Sequence, residues 1–576
     1  MENSLKGLPY GVSDFVKVRE RDLYYVDKTE YLAKMENVAD FLFFIRPRRF
    51  GKSLFISMMR AYYDKAMASR FDELFGGLWI GSHPTQWQGK FQVLYFDFSR
   101  VGADLGSLEE QFNDYCCTRL DAFMRRYASE YPDDVQKQFY AANNVRSKLN
   151  ILDAAAQELG IHLYLIIDEY DNFTNVILNQ QGEEVYHAIT HADGFYRGIF
   201  KLFKGMFERI FLIGVSPVTL DDLTSGFNIA TNISIDPRFN DMLGFTTDDV
   251  RQLVTYYKDA DLLPANRSVD DIVEEMRPWY DNYCFAKQSL KDERRVFNPD
   301  MALRYLNDYT GNGVPPEDML DPNTKTDYNK MRRLLQLDTL QGERKGILRH
   351  ITEEGQIVSP IVASFPANRL TDPDMFVSLL FYYGMLTIKE PRGASMLLAI
   401  PNNNVRQQYY EYLLEQYKPV AEIMQYKLAE YFYEMAYNGD WQKALRYIGE
   451  AYERVSSIRD SIEGERNLQG FFLAYLGFSA YYLTAPEVEV SHGYCDFFLM
   501  PDLRRYEVQH SYILELKYLP KKDFDTRKDA QWAEAVKQIG RYAEAPKVKT
   551  MTAGTKLHKI IMQFESWTLR RMEEVK

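Results

Sequence analysis

Between Asp40 and about Val218 the chain alternates short apolar runs with longer stretches in which apolar residues recur at helical spacing. Four runs are nearly continuous in hydrophobicity: FLFFI (41–45), FQVLYFDF (91–98), LYLIIDEY (163–170) and RIFLIGVS (209–216). Runs of this length are typical of strands buried on both faces of a parallel sheet. Amphipathic stretches such as SLEEQFNDYCCTRLDAFMRRYASEY lie between them. The pattern therefore predicts an α/β domain.

From about Gly244 the pattern becomes helical, beginning with GFTTDDVRQLVTYY, where Thr246 or Thr247 is predicted to cap a helix. The stretch 311–327 is rich in Gly, Pro, Asp and Asn, which indicates a loop or a domain seam. Residues 328–465 read as mostly helical, and no unit recurs at a fixed period.

From about residue 466 the predicted order is helix, three strands, helix and strand, which indicates a second compact α/β unit. The predicted organisation is thus a parallel-sheet domain at 1–285, a mostly helical lid or linker at 286–465, and a terminal α/β domain at 466–576.

Net charge is 69 − 82 = −13, which argues against a chain that nucleic acid coats over its whole surface. The charge is unevenly spread, because residues 504–576 carry 16 basic and 10 acidic side chains, net +6, and leave −19 on residues 1–503. A basic terminal module fits local contact with a polyanion, and a solvated face of a small domain explains the charge equally well.

The four cysteines include no C-x-x-C pair, so neither a disulfide framework nor a zinc knuckle is indicated. The chain begins without an apolar h-region, and no 18-residue apolar run follows. We therefore expect a soluble, cytoplasmic protein with no membrane contact.

Candidate chemistry begins after the first apolar run, where Gly51, Lys52 and Ser53 end the stretch IRPRRFGKS and open a predicted helix. A P-loop binds phosphates through backbone N–H groups and a helix N-terminus, with a lysine on the β/γ oxygens and a hydroxyl on Mg²⁺. The pattern G-x-x-x-x-G-K-[ST] has a glycine where this chain has Arg46. The stretch is therefore either an unusual nucleotide site or a basic turn.

A second element favours the nucleotide site. The apolar run LYLII ends in Asp168 and Glu169, and in such ATPases the first acid holds Mg²⁺ while the second polarises the attacking water. A helix cap is the structural alternative. The run RIFLIGVSPVTL ends in Ser216 and Thr219, where a phosphate-sensing side chain would lie, although Ser-Pro is also an ordinary turn.

Six blocks in order carry a resemblance: residues 11–35, RPRRFGKSLF, LIIDEYD, GVSPV, LGFTTDDV and WYDNY (279–283). Over roughly residues 5–285 the chain resembles a bacterial AAA-ATPase-like family whose own P-loop reads R-P-R-R-F-G-K-S, so Arg46 follows the family's habit. Where WYDGY is expected, this chain has Asn282, which tolerates a left-handed backbone.

The resemblance implies ATP bound by Gly51, Lys52 and Ser53, with Mg²⁺ at Ser53 and Asp168 and water at Glu169. It also places the segment YVDK, with Asp27 and Lys28, near the nucleotide, while Asp27 as a helix cap is an equal alternative. Arg46, Arg48 and Arg49 either add positive charge around the phosphates or fix the loop through neighbouring acids, and Arg49 is predicted as a nucleotide contact. Arg209 and Arg238 are weak candidates for an arginine finger and are better explained as surface or ion-pairing residues.

In the terminal module Asp496 begins one predicted strand, and Glu515 and Lys517 lie on the same face of the next. Two carboxylates can hold one or two Mg²⁺ ions, and a lysine can orient or deprotonate water and stabilise a pentacovalent phosphate. A salt-bridged pair on an exposed strand is the structural alternative.

This D…E-x-K arrangement resembles the PD-(D/E)XK nuclease superfamily over about residues 466–576. Gln538 and Tyr542 on the next helix match that superfamily's Q-x-x-x-Y pattern, and Glu489 or Glu487 would supply an upstream acid. Family members often read G-R-x-D where this chain has Gly493-Tyr494-Cys495-Asp496, so the expected arginine is absent.

Taken together, the resemblances imply an ATPase with a metal-dependent nuclease module, with ATP-gated cleavage of DNA as the expected activity and ATP and Mg²⁺ as cofactors. The alternative is an ATP-dependent switch or binding protein whose nuclease-like domain is inactive. Nucleic acid is the expected partner of the terminal module, and a homo-oligomer is a second candidate.

Overall fold

The structure, a computed structural model, describes residues 5–101, 108–172, 195–219, 230–320, 343–366, 369, 372–421, 423–455, 464–489 and 494–576. It divides into two compact units. Unit 1 comprises Met1–Gln341 and Val358–Asn402, and unit 2 comprises Gly342–Ile357 and Asn403–Lys576. The predicted boundaries at 285 and 465 stay predictions, and the predicted helical middle is shared between these units. Part of the predicted loop (321–327) and the first residues of the helical region (328–342) lie outside the described residues.

The core of unit 1 is the parallel sheet that the apolar runs predict. Its strands are β1 (Phe41–Ile45), β2 (Gln92–Asp97), β3 (Leu163–Asp168), β4 (Arg209–Gly214) and, after the short β5 (Val218–Thr219), β6 (Thr231–Asn232). The spatial order is β2-β3-β4-β1-β6, and neighbouring strands run parallel. Because parallel strands align their carboxyl ends, the turns after β1, β3 and β4 meet at one edge of the sheet.

Helices cover this sheet and continue beyond it. They are α1 (Phe15–Glu20), α2 (Glu30–Glu36), α3 (Lys52–Tyr63), α4 (Phe71–Phe75), α5 (Trp79–Ser82), α6 (Leu108–Arg126), α7 (Asp133–Ala141), α8 (Val145–Leu159), α9 (Phe195–Met206), α10 (Thr247–Asp259), α11 (Val269–Tyr280) and α12 (Pro299–Asn312). Short 3-10 helices occupy Lys65–Arg70, Phe98–Arg100, Ala128–Glu130, Pro237–Phe239 and Lys287–Leu290. Thr246 caps α10 in a reciprocal capping box with Asp249, as the sequence predicts.

The chain then enters unit 2 and returns. Helix α13 (Glu343–Glu354) belongs to unit 2, and β7 (Gln356–Ser359) carries the chain back to unit 1. The returning segment contains β8 (Phe365–Pro366), which pairs with β5, then α14 (Pro373–Tyr382) and the antiparallel hairpin of β9 (Thr387–Arg392) and β10 (Ser395–Ala399). This hairpin was not predicted, because its strand KEPRG interrupts the apolar alternation.

Unit 2 contains a five-stranded sheet in the order β11-β12-β13-β14-β15. The strands are β11 (Tyr482–Glu489), β12 (Tyr494–Pro501), β13 (His510–Leu519), β14 (Lys556–Glu565) and β15 (Thr568–Glu574). Only β13 and β14 run parallel, and the other pairs are antiparallel. The final strand was not predicted, because its sequence TLRRMEE is mostly charged.

The helices of unit 2 are α15 (Asn403–Ala421), α16 (Gln425–Asn438), α17 (Trp441–Val455), α18 (Glu465–Leu476), α19 (Lys521–Ala543) and α20 (Pro546–Met551). Those before residue 465 join the terminal sheet through buried contacts. The Tyr512 hydroxyl donates to the Met435 carbonyl at 2.6 Å, and the Tyr452 ring packs edge-on against Phe564. The fold class predicted from the sequence, two α/β regions with a helical middle, is confirmed.

Candidate nucleotide and metal sites

The loop between β1 and α3 has the backbone of a phosphate cradle. Arg49 and Gly51 adopt left-handed φ angles of 65° and 86°, which turn the chain back toward the first turn of α3. A Cβ built on Gly51 meets no heavy atom of the described residues within 4 Å. Glycine is therefore favoured at position 51 by its backbone angle and not by lack of space.

Lys52 lies at the start of α3, with 7% of its surface exposed. Its Nζ donates to the carbonyl oxygens of Arg46 and Pro47 at 3.2 and 3.0 Å. Burial lowers the pKa of Lys52, and the carboxylates of Glu169 and Asp168 oppose that shift. A cation whose direct acceptors are neutral carbonyls is well placed to receive an anionic ligand.

The acidic half of the site comes from the end of β3. The Ser53 hydroxyl lies 3.5 Å from Asp168 Oδ2, and Asp168 Oδ1 accepts the backbone N–H of Glu169 at 2.9 Å. Burial, together with the neighbouring charge of Glu169, raises the pKa of Asp168 to about 7, and Lys52 opposes the shift. Glu169 has a left-handed φ of 51°, a strained conformation of the kind found at functional sites. Ser53 and Asp168 supply the oxygen ligands that Mg²⁺ prefers, so the residues fit that ion.

A cavity of about 820 Å³ opens over this loop, within the range of roughly 300–1,000 Å³ that ligand sites occupy. Lys52, Ser53 and Glu169 line it, together with other charged side chains such as Lys28. Apolar side chains from the N-terminal segment and from α10 and α12 also line it, including Val26, Leu253 and Leu303. A lining that combines cationic and apolar side chains suits a nucleotide, whose phosphates and base need opposite surroundings.

Arg46 occupies the position of the missing glycine, and its side chain is buried and hydrogen-bonded to backbone carbonyls. It is 1% exposed, and its guanidinium donates to the carbonyls of Ile45, Ser234 and Phe239 at 2.7–2.8 Å. The same group lies 4.2 Å from the ring centroid of Phe44. Arg46 thus fixes the loop, but through carbonyl groups and an aromatic face instead of the predicted acids.

The other two loop arginines line the cavity. Arg49 Nη1 lies 3.5 Å from Asp300 Oδ2 in the first turn of α12, and both side chains are partly exposed. The contact with Asp300 matches the predicted loop-fixing role, and the predicted contact of Arg49 with a nucleotide stays a prediction.

Asp27 and Lys28 have different surroundings. Asp27 accepts the backbone N–H groups of Thr29 and Trp79 at 2.9 and 2.6 Å, and it is not among the described residues that line the cavity. Lys28 does line the cavity, and its Nζ lies 2.7 Å from Asp249 Oδ2. The alternative was a helix start capped by Asp27 or Thr29; Thr29 is the N-cap residue of α2, and Asp27 accepts its N–H in the preceding turn. The predicted place of Asp27 near the nucleotide stays a prediction.

Ser216 follows β4 as predicted but is fully buried, and it too is not among the described residues lining the cavity. Its backbone N–H donates to Asp171 Oδ2 at 2.8 Å, and its hydroxyl is hydrogen-bonded to the Tyr383 hydroxyl. Sequence reasoning missed Asp171, which joins the ends of β3 and β4 by accepting from Val215 and Ser216. The third acid of the motif DEYD was the available signal. Thr219 lies on β5, and its side chain is not described.

Neither candidate arginine finger is free. Arg209 is buried, lies 3.5 Å from Asp40 and packs over the Trp87 ring. Arg238 binds Asp236 through two guanidinium nitrogens at 2.6–3.1 Å. Both match the ion-pairing alternative.

In unit 2 the structure brings Asp496, Glu515 and Lys517 together. The antiparallel register of β12 and β13 pairs Phe497 with Leu514, which puts Asp496 beside Glu515. Asp496 Oδ2 accepts the backbone N–H of Leu516 at 2.6 Å. Glu515 is 2% exposed, and its Oε1 lies 2.7 Å from Lys517 Nζ.

The charges of this cluster influence one another strongly. Burial raises the pKa of Asp496 and of Glu515 above the usual carboxyl range, and the repulsion between them raises that of Asp496 further. Burial alone would lower the pKa of Lys517, but attraction to Glu515 and Asp496 outweighs it and the net shift is upward. The lysine therefore keeps its proton at neutral pH.

Two buried oxygen atoms here lack partners among the described residues: Glu515 Oε2 and Gln538 Oε1. Gln538 lies on α19 one turn before Tyr542, whose pKa is influenced by Glu515 and Lys517, so this face of α19 borders the cluster. Buried oxygens without hydrogen bonds are costly unless a ligand satisfies them.

A divalent cation fits this oxygen set. No group of three or more His, Cys, Asp or Glu is arranged as metal ligands within the described ranges. Mg²⁺ keeps several waters and needs few carboxylates, so Asp496 and Glu515 with an amide oxygen are a sufficient set.

Helix α18 adds two residues that sequence reasoning missed. Gln469 Nε2 donates to Asp496 Oδ1 at 2.7 Å, and Glu465, one turn earlier, raises the pKa of Asp496, Glu515 and Lys517. Their i,i+4 spacing, just before the predicted strands, was the only signal. The upstream acids predicted instead, Glu487 and Glu489, lie on β11 with side chains that are not described.

Comparisons with known proteins identify two regions of the chain. Residues 9–224 match the family described as predicted AAA-ATPase, and residues 463–574 match the PD-(D/E)XK nuclease superfamily. The chain thus carries an AAA-ATPase-like domain and, at its C-terminus, a PD-(D/E)XK superfamily domain.

An uncharacterized protein encoded in the vnfD 5′ region of Azotobacter chroococcum mcd 1 is 28% identical over 318 residues. The match covers 52% of each protein, so the chain spans about half the length of that relative. Among solved structures, the Aeropyrum pernix ORC2 protein in ADPNP–ADP complexes aligns with 72% of this chain and 97% of its own, at 11% identity and a TM-score of 0.29. Within the described residues, the helices all fall short of the length and apolarity needed to cross a membrane.

Proposed function

We propose that this protein is an ATP-gated nuclease, in which unit 1 binds and hydrolyses ATP and unit 2 cleaves DNA with a divalent cation. The observation that carries the proposal is the buried Asp496–Glu515–Lys517 cluster, in which Glu515 Oε2 has no partner among the described residues. A cluster built only for stability gains little from a second, unsatisfied carboxylate oxygen.

For the ATP half, Lys52 and the backbone around Gly51 would hold the phosphates, and Ser53 and Asp168 would hold Mg²⁺. Glu169 follows Asp168 directly and lines the same cavity, so its carboxylate is placed to orient a water toward the terminal phosphate. Mg²⁺ supplies charge neutralisation on the phosphate oxygens. Arg48 and Arg49 add positive charge at the cavity wall.

For the nuclease half, Asp496 and Glu515 would hold the cation, which supplies a Lewis acid for the scissile phosphate. Once Glu515 carries that cation, Lys517 no longer has to balance the carboxylate charge. Because its pKa is raised, Lys517 acts as a protonated group that stabilises negative charge on the phosphate, and not as the base. Gln538 completes the oxygen set.

DNA is the proposed substrate class because the terminal region is basic while the rest of the chain is acidic, +6 against −19. Several of its basic side chains are exposed on or near α19, including Lys522, Arg527, Lys537 and Arg541. Contacts from lysine and arginine to phosphates supply most of the sequence-independent affinity for nucleic acid.

The test is a substrate panel for the full chain: single-stranded, duplex and branched DNA, and RNA, each with Mg²⁺ or Mn²⁺ and with or without ATP. The proposal expects cleavage of at least one DNA substrate that depends on the cation and increases with ATP. ATP turnover without cleavage of any substrate would overturn the nuclease half and favour an ATP-dependent switch.

A further inference from the structure

One segment of unit 1 has unit 2 on both sides in the sequence. Residues 358–402 follow unit 2 residues 342–357 and precede unit 2 residues 403–576. The segment is therefore joined to unit 2 by two covalent crossings, at 357–358 and 402–403. Both ends of its hairpin are anchored in unit 1, because Thr387 Oγ1 accepts the Cys284 N–H at 2.8 Å and Asn402 Nδ2 donates to the Asp281 carbonyl at 2.9 Å.

The corner that ends α14 lies directly against the P-loop. Gly384 has a left-handed φ of 76°, and a Cβ at this position would lie 2.8 Å from Pro47 Cγ and 3.0 Å from Pro47 Cβ. The approach to Cγ is one that real Cβ atoms essentially never show, and the approach to Cβ is tighter than nine in ten real Cβ contacts. The absence of a side chain at Gly384 is thus what lets the corner touch the nucleotide loop.

The neighbouring Tyr383 reaches the ends of two sheet strands. Its hydroxyl is hydrogen-bonded to Ser216, the residue that follows β4 in the position predicted for phosphate sensing. Asp171, Arg48 and Glu169 all lie within electrostatic range of the same hydroxyl. The nucleotide loop, the end of β3 and the end of β4 therefore converge on Tyr383, with Ser216 buried behind the described lining of the cavity.

The preceding residue provides a contrast within one turn. Tyr382 is 2% exposed, and its hydroxyl has no hydrogen-bond partner among the described residues. That hydroxyl lies within electrostatic range of Arg46. The two adjacent tyrosines thus differ in their hydrogen bonding, because only the Tyr383 hydroxyl is hydrogen-bonded to the end of β4 within the described residues.

We propose that Tyr383 is a positioning residue that transmits the nucleotide state of the cavity to unit 2. Changes at Ser216 and the P-loop shift the Tyr383–Gly384 corner, and the chain carries that shift through the crossings at 357–358 and 402–403. This inference rests on the ATP site proposed above and concerns how that site regulates unit 2.

The test is hydrogen exchange measured on the full chain, with and without Mg²⁺ and a non-hydrolysable ATP analogue. In the unmodified protein, the analogue should change amide exchange in 343–357 and in 403–421. In Tyr383→Phe the analogue should still bind, with an affinity lowered by about fivefold at most, as expected from the loss of one neutral hydrogen bond. At saturating analogue, the exchange change in those two segments should be largely lost.

Tyr382→Phe is the matched control for the hydrogen bond. It also removes a buried tyrosine hydroxyl beside the loop, near Arg46, but one with no hydrogen-bond partner among the described residues, so its exchange response should match that of the unmodified protein. An equal exchange response in Tyr383→Phe and Tyr382→Phe would overturn the inference, as would bound analogue with no response in 343–357 and 403–421 of the unmodified protein. Failure of the analogue to bind the unmodified protein would instead refute the ATP site itself, and the inference with it.

A second pair of variants tests the contact between the Gly384 corner and the loop while leaving Tyr383 unchanged. Gly384→Ala and Gly393→Ala both force alanine into a left-handed turn, at φ 76° and 63°, but a Cβ at Gly393 meets no described heavy atom within 4 Å. Gly384→Ala should weaken analogue binding more than Gly393→Ala at matched thermal stability. Equal binding by the two variants would show that the contact with Pro47 does not serve the nucleotide loop.

Discussion

The two sites use the same side-chain types, one lysine and two carboxylates, in opposite arrangements. In unit 1, Lys52 donates to neutral carbonyls, and burial lowers its pKa. In unit 2, Lys517 lies 2.7 Å from Glu515, and the carboxylates raise its pKa against the effect of burial.

The difference indicates which ligand each site lacks. A buried lysine held by carbonyls gains most from an anion, because no carboxylate of the described residues is hydrogen-bonded to it. In unit 2 one carboxylate oxygen has no partner among the described residues, and the raised pKa values of Asp496 and Glu515 mean that the pair resists carrying two negative charges beside a single lysine. That pair gains most from a cation. The same residue types therefore predict a phosphate site in unit 1 and a metal site in unit 2.

The largest effect that this contrast predicts is in unit 2. Glu515→Gln removes the charge that holds the cation while keeping the shape of the side chain. Cleavage should fall by about 1,000-fold, because a bound metal contributes several kcal/mol to the transition state. ATP turnover should be unchanged. The measurement is single-turnover DNA cleavage and ATPase rate on the same preparation.

The matched control for Glu515→Gln is Glu544→Gln, because the Glu544 side chain is 75% exposed and bonds only the exposed Lys549 in the described structure. This control should cleave normally. Normal cleavage by Glu515→Gln as well would contradict the assignment of Glu515 as a ligand of the cation.

The next largest effect is in unit 1. Lys52→Ala removes the cation that the loop carbonyls hold, and ATP affinity should fall by about 100-fold, as expected when a charge-assisted contact to phosphate is lost. Titration calorimetry with ATP and Mg²⁺ measures it. Lys65→Ala is the control, since Lys65 is exposed and pairs with Glu130. Comparable affinity in the two variants would contradict a phosphate site at Lys52.

A third prediction concerns pH. The pKa of Asp168 is raised to about 7 from an ordinary value of 3.8, so the nucleotide-free folded protein keeps a proton that the unfolded chain releases. Its contribution to the free energy of unfolding is therefore full below about pH 4 and is lost as pH rises through about 7, by at most about 1.4 kcal/mol per pH unit.

The same proton opposes Mg²⁺, which needs the carboxylate. Affinity for Mg²⁺ in the presence of ATP should therefore rise by up to about tenfold per pH unit below pH 7 and level off above it. Asp168→Asn should flatten both profiles, whereas Asp248→Asn, which changes an exposed residue, should leave them as they are. Denaturant melts and Mg²⁺ titrations from pH 5 to 8 measure how the free energy of unfolding and the Mg²⁺ affinity depend on pH. Unaltered pH dependences in Asp168→Asn would show that Asp168 is not the group whose titration causes them.

The smallest predicted effect separates the two roles of Arg49. Because Arg49 and Asp300 are partly exposed and 3.5 Å apart, their coupling should be below about 1 kcal/mol in a double-mutant cycle on unfolding free energy. If Arg49 also binds phosphate, Arg49→Ala should weaken ATP binding by several-fold and Asp300→Ala should not. Unchanged affinity in both variants would leave Arg49 with the loop-fixing role alone.

The sequence predicted what local pattern determines. The four apolar runs became β1 to β4, and Thr246 caps its helix. Asn282, which stands where the family pattern WYDGY has glycine, has a left-handed φ of 78°, a conformation that asparagine tolerates. Asp496, Glu515 and Lys517 also came together as their strand positions indicated, because alternation in a strand fixes which side chains share a face.

What the sequence missed depends on packing between distant segments. Tyr383 meets Ser216 across more than 160 positions, and nothing in the local pattern marks the contact. The same holds for Glu465 on α18, which lies near Glu515 only because helix and strand pack together. Hydrophobic periodicity also fails to detect a mostly charged edge strand such as β15.

The most direct test of the central claim follows DNA cleavage by the full chain in Mg²⁺ while ATP is added to a running reaction. The account predicts that the cleavage rate rises on addition of ATP in the unmodified protein, and that Lys52→Ala keeps the starting rate without the rise. The result that would contradict it is ATP consumption by the unmodified protein with a cleavage rate that does not change.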